Sequence, residues 1–266
     1  MLRITCLWSI LFLSLSSCEE VVDWDFQTGE NDLPVVDAIL TNERRIQELR
    51  LTHSFGEPNG AGRPLVADRV TVRVGEETYP FVALAEDASR YRSQVPFRAG
   101  VGEEVQLTVE WEGQRYTARS TAVPILPLGA VTFFEAGVDS LSVVAPPVYT
   151  PEEQALYIVD IDGPPLGGSE PTRARLYFYS FSTLDVSEFF RGQLENVFLP
   201  RGSTVAVSKY ALTTEFAAYL RALMMEKDWR GGLYDELPSS LPTNVSNGGL
   251  GFFATAAVLR DTVEAQ

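Results

Sequence analysis

Cysteine and histidine are nearly missing from this chain of 266 residues: it holds two cysteines, Cys6 and Cys18, and one histidine, His53. A zinc site draws on three or four nitrogen, sulfur or carboxylate ligands, which these residues cannot assemble in the usual form. A Ser-His-Asp triad would need His53 beside an activated serine, and no G-x-S-x-G elbow supports one. His53 falls inside an alternating strand pattern and reads as structural. Nucleotide fingerprints are absent too: there is no P-loop, and Gly248-Gly249-Leu250-Gly251 lacks the preceding strand and following helix that a dinucleotide site requires. Basic residues are scarce, with Lys+Arg 21 against Asp+Glu 36 and a net charge of −15. Such a surface excludes nucleic acid as a partner and repels anionic lipid. Neither cofactor nor metal is expected, and nothing in the pattern marks the chain as an enzyme.

What is present begins at the N-terminus. Arg3, the apolar run Ile4 to Leu15, and the small residues Ser16 and Ser17 have the form of a secretory signal over residues 1–17. The run is too short to span a bilayer, which takes about twenty residues. Leu15-Ser16-Ser17-Cys18 resembles a bacterial lipobox. The resemblance implies that Cys18 is diacylated on sulfur, becomes the first residue of the mature chain and is acylated again on its amine. Cys6 leaves with the signal, so no intramolecular disulfide remains. The mature chain keeps 20 basic against 36 acidic residues, a net −16. Attachment therefore falls to the acyl chains, at roughly 0.8 kcal/mol per buried CH₂.

Residues 18–33 read as an acidic tether holding Trp24 and Phe26. Its Glu19-Glu20 pair resembles the surface-export signal of Bacteroidota lipoproteins. From 34 to 123 the hydrophobic period is two, with strands expected at Val35–Leu40, Ile46–His53, Val70–Val74, Thr78–Leu84, Tyr91–Val95, Val105–Trp111 and Arg115–Thr121. Glu112-Gly113 predicts a tight hairpin, and Gly56 to Pro64 a glycine-rich loop. Seven short strands imply an immunoglobulin-like or transthyretin-like β-sandwich. Pro124 and Pro127 stiffen a connector at 123–129.

A second β-rich domain is expected over 129–262, with strands near Ala130–Glu135, Leu141–Val144, Ala155–Ile161, Arg173–Phe181, Thr204–Tyr210 and Gly251–Leu259. One helix is predicted near 213–229. Thr213 caps it, Glu215 sits in its first turn, and Phe216, Tyr219, Leu220, Leu223 and Met224 form its apolar stripe. Gly231-Gly232 ends it.

Two acidic or aromatic features bear on chemistry. Asp160-Ile161-Asp162-Gly163 looks like the start of a calcium loop, but lacks the later ligands and closing glutamate, and reads as a strand running into a turn. Leu176 to Phe181 places Tyr177, Tyr179 and Phe181 on one strand face, where core packing is the expected role and sugar stacking or a peptide grip the alternative. Paired carboxylates for glycoside hydrolysis remain open, since such partners lie far apart in sequence.

Pro242 to Phe253 (PTNVSNGGLGFF) resembles the closing signature of a Bacteroidota lipoprotein family of unknown function, domain of unknown function 4249: an Asn, a Gly-rich turn and an aromatic pair leading into the last strand. The first strand ending in Thr41-Asn42, the Val70 to Tyr79 hairpin, Tyr91 followed by Gly102 to Leu107, and the helix beginning Thr214-Glu215-Phe216 match its order. The resemblance implies an outer-membrane lipoprotein, often encoded beside a TonB-dependent receptor, and no catalytic residues. The expectation is a lipid-anchored, surface-exposed, non-enzymatic accessory or binding component of a TonB-dependent nutrient-uptake system, with that receptor as partner. The alternatives are a glycan hydrolase using two carboxylates and a structural or adhesive surface protein. Asn244 and its glycines read as a structural turn.

Overall fold

Alternation sets the first seven strands: β1 (Pro34–Thr41), β2 (Glu48–His53), β3 (Arg69–Val74), β4 (Glu77–Ala83), β5 (Arg90–Ser93), β6 (Glu104–Trp111) and β7 (Gln114–Thr121). In β6, Val105, Leu107 and Val109 are buried, and the residues between them are half-buried on the opposite face. Glu112 and Gly113 both take positive φ, 49° and 73°, which gives the hairpin a turn that matches strand twist. This computed structural model describes residues 32–55, 62–137, 139–147, 149–166, 168–183, 197–227 and 241–266. Cys18, the tether before Asp32, most of the Gly56 to Pro64 loop and Gly231-Gly232 lie outside the described residues.

The second half holds β8 (Phe133–Glu135), β9 (Ser140–Val143), β10 (Ala155–Gly163), β11 (Thr172–Ser180), β12 (Phe198–Pro200), β13 (Thr204–Ala211), helix α1 (Thr214–Lys227), β14 (Leu250–Ala256) and β15 (Val258–Glu264). Among the described residues the fold is thus mostly β, with one helix. Thr213 caps α1 as its sequence predicts, accepting on Oγ1 from Phe216 N at 3.2 Å. Phe216 is buried and Tyr219, Leu220 and Met224 pack beside it. Leu223, expected in the same stripe, is instead 39% exposed, outside the cluster that holds Tyr219, Leu220 and Met224.

The strands make three sheets. Eight form one sheet in the order β14-β1-β2-β5-β4-β3-β6-β7; four form β11-β10-β13-β15; three form β12-β9-β8. The segment expected as one strand at Gly251–Leu259 is two. β14 joins the first sheet, parallel to β1, and after Ala257 the chain enters the second as β15, antiparallel to β13. Fully buried Ala257 donates no bulk at the crossing and gives its carbonyl to Ala211 N at 2.9 Å. Asn42 holds the same crossing from β1: its amide N donates to Ala256 O at 3.2 Å, and its Oδ1 accepts from Val258 N at 2.9 Å.

The first sheet curls until its edges, β14 and β7, meet. They are joined by side chains in place of a backbone ladder. Ser120 Oγ accepts from Thr255 N at 2.9 Å, and Ser246 Oγ accepts from Thr117 N at 2.8 Å. Inside lie Leu40, Leu51, Val72, Leu107 and Phe253, all at most 1% exposed. Burying each such side chain contributes about 1.5–3 kcal/mol. A second core, around Leu141, Val159, Ile161, Leu199, Val205 and Val207, fills the space between the four- and three-stranded sheets. Helix α1 closes a third, where Phe216 meets both Phe252 of the first sheet and Leu156 of the second.

The proline-bearing connector at 123–129 is strapped down at Leu126. Its N donates to Glu153 Oε1 at 2.7 Å, and its carbonyl accepts from Lys209 Nζ at 3.0 Å. Lys209 also bonds Glu153 Oε2; the two side chains are 4% and 9% exposed.

Candidate functional site

The four-stranded sheet presents one face to its core and α1 covers part of the other, over Leu156, Tyr179 and Tyr210. Beyond the helix this second face is open and polar. Cross-strand register sets Asp160 opposite Arg175 and Asp162 opposite Arg173. Arg175 Nε reaches Asp160 Oδ1 at 2.5 Å, and Arg173 Nε lies 3.5 Å from Asp162 Oδ2. With Thr204 and Ala206 of β13 as a low wall, these residues line a shallow groove of about 510 Å³. Small side chains on β13 are what make it concave. Tyr177, two residues beyond Arg175 on the same strand face, is 52% exposed. Its neighbour Asp160 first, and Tyr177 after it, hold the Arg175 guanidinium more firmly protonated than usual.

Chemically the groove is a row of alternating acceptors and donors with an aromatic ring at one end. Each carboxylate is engaged by a guanidinium across the strand pair, and no serine, lysine or histidine stands among the lining residues. Such a surface can hold a polar ligand by hydrogen bonds and stacking. Exposed pairs of this kind contribute little to stability, about 0–1 kcal/mol, so their arrangement is free to serve recognition.

The other residues singled out by sequence are dispersed. Asp160 to Gly163 is the end of β10 and not a metal loop. Among the described residues no three His, Cys, Asp or Glu side chains converge as a metal site. The aromatic run divides: Tyr179 and Phe181 stack at 5.9 Å and join the core under α1, leaving Tyr177 outside. His53 Nδ1 meets Asp32 Oδ1 at 2.8 Å, and Arg63 Nη2 donates to the same oxygen at 2.9 Å. The His53 ring sits edge-on to Trp111 at 5.4 Å. This group fastens Asp32 to β2, a structural role.

The Asn-Gly signature proves to be the seam of the curled sheet. Asn244 Oδ1 accepts from Phe253 N at 3.0 Å, while its Nδ2 donates to Phe253 O at 2.7 Å and Arg119 O at 3.0 Å. Gly251, at φ +78°, lies so near β1 that an added Cβ would stand 2.0 Å from Val36 O. Sequence reasoning missed the Lys209–Glu153 strap. A signal was available, since Lys209 shares the inward register of Val205 and Val207, where a charge demands a partner.

No helix among the described residues is long and apolar enough to cross a membrane. No curated protein matches the chain. Residues 19–262 match the family described as a domain of unknown function, DUF4249. That match spans the described strands β1 to β14, the described helix and most of β15, and the chain belongs to this DUF4249 family.

Proposed function

We propose that this protein is a lipid-anchored, surface-exposed, non-enzymatic accessory or binding component of a TonB-dependent nutrient-uptake system at the outer membrane. The observation that carries the reading is Leu15-Ser16-Ser17-Cys18 placed directly after the Ile4 to Leu15 run. A plain signal needs only small residues at its cut, and the cysteine is explained by lipidation. Support also comes from the open groove of Asp160, Asp162, Arg173 and Arg175, whose charges answer one another and leave Tyr177 free to stack. In this reading Cys18 holds the protein at the membrane, and the groove meets the nutrient or the receptor.

The test is co-purification. The C-terminus is tagged, outer membranes are solubilised in mild detergent, and the proteins retained with the wild type are identified. Near-equal recovery of a TonB-dependent receptor is the expected result. Recovery of the lipoprotein alone, or a Cys18→Ala protein that stays in the outer membrane, would count against the reading.

A further inference from the structure

β1 and β14 run side by side in the same direction, in register from Val35↔Leu250 to Thr41↔Ala256. The N-terminal segment and the four-stranded sheet are attached to this pair at opposite ends. The segment leading back to Cys18 joins β1 at Pro34, beside Leu250. The four-stranded sheet joins β14 at its other end, through Ala257. A pull between the N-terminal segment and the groove therefore slides one strand along the other. Every hydrogen bond of the ladder is strained together, whereas a pull on adjacent ends opens them one at a time.

We infer that the β1–β14 pair is a mechanical clamp, which keeps the protein folded when the groove-bearing sheets are drawn away from the N-terminal attachment. Its use in the cell rests on the proposed anchoring through Cys18; the clamp itself rests on topology. Three features reinforce it. β1 is an interior strand, paired on its other flank with β2 over Pro34 to Asp37. At the end where force leaves, Asn42 binds Val258 N, and Glu43 takes Arg260 at 3.0 and 3.1 Å through both carboxylate oxygens. Midway along the ladder, where Phe253 faces Ala38, Asn244 ties β14 back to β7. Removal of the glycine at 251 would break the close approach to Val36 O, so the ladder depends on that residue for its continuity.

The experiment is single-molecule pulling of the unlipidated chain from residue 18 onward, in which Cys18 is the one natural thiol. In one variant the second handle is Gly168→Cys, between β10 and β11, where an added Cβ meets nothing within 4 Å. In the other it is Leu250→Cys, at the half-exposed start of β14, next to Val35. The same ladder is thus sheared in the first and peeled in the second. The expected result is a rupture force several times higher for Cys18 with Gly168→Cys than for Cys18 with Leu250→Cys. Equal forces would overturn the inference, and so would early unravelling of the groove-bearing sheets while β1 remains paired. Because the protein is unlipidated, neither outcome depends on whether Cys18 is the anchor in cells.

Discussion

Asn244 pairs with both backbone groups of Phe253, taking its N–H at 3.0 Å and giving to its carbonyl at 2.7 Å. The amide thereby imitates a neighbouring strand. Its remaining N–H goes across the seam to Arg119 O, so one side chain closes a gap that the backbone ladder leaves open.

Replacing this residue tests that role. Asn244→Ala removes three hydrogen bonds, each contributing about 1 kcal/mol, and the expected loss is about 2–3 kcal/mol in denaturant unfolding. Asn244→Asp should cost at least as much as Asn244→Ala: the aspartate keeps the acceptor for Phe253 N but sets an oxygen against the carbonyls of Phe253 and Arg119. An Asn244→Ala protein as stable as the wild type would refute the seam.

Glycine positions should differ sharply in cost. Gly251→Ala meets both a positive φ and a contact with Val36 O, and the expected loss is roughly 3 kcal/mol or more. Gly75→Ala has the same backbone demand, φ +58°, but open space around it, and should lose about 1–2 kcal/mol. Thermal unfolding of the two variants checks the order.

The Lys209–Glu153 strap predicts non-additivity. Lys209→Met strands a buried carboxylate and should cost about 3–5 kcal/mol. Adding Glu153→Gln removes that charge while keeping an acceptor for Leu126 N, and should recover part of the loss. If the double variant is as unstable as the sum of the singles, the two residues act independently and the strap is not a unit.

Glu48 supplies a pH dependence. Burial alone would raise its pKa, but the hydrogen bonds from Arg90 at 2.5 Å and Arg92 at 2.8 Å, with their charges, override this and hold it below the usual range. The unfolded chain then takes up the proton first as pH falls. The contribution is whole above the ordinary glutamate pKa of about 4.3 and disappears as pH drops through the lower folded value. Unfolding curves of the wild type and Glu48→Gln should accordingly be separated near neutrality and converge in acid. A gap that persists below the folded value would mean that Glu48 acts through something other than its charge.

The strands were legible wherever one face is wet. Val105, Leu107 and Val109 alternate with polar residues, and Glu112-Gly113 announces its own turn. β12 carries no such mark, because Phe198-Leu199-Pro200 is too short to show a period. β14 and β15 read as one strand since Phe252 to Val258 is apolar but for Thr255; Phe252 packs under α1 and Phe253 in the core of the first sheet, so alternation vanishes. The partner of β1 could not be read at all, because parallel pairing to a distant segment leaves no local signal. Of the groove, Asp160 and Asp162 were noticed as carboxylates, but Arg173 and Arg175 join them only through register. Tyr177, Tyr179 and Phe181 share a face by period two, and the sequence does not say where α1 stops covering it.

The place of β14 also governs how the protein is made. Synthesis delivers the chain from its N-terminus, and β1 waits with one flank bare until Leu250 to Ala256 has emerged. Nearly the whole polypeptide has therefore been made before the first sheet can be completed, and the loop that must close to complete it is almost as long as the protein. Such distant pairing slows folding. The strand that locks the first sheet is thus among the last to be made.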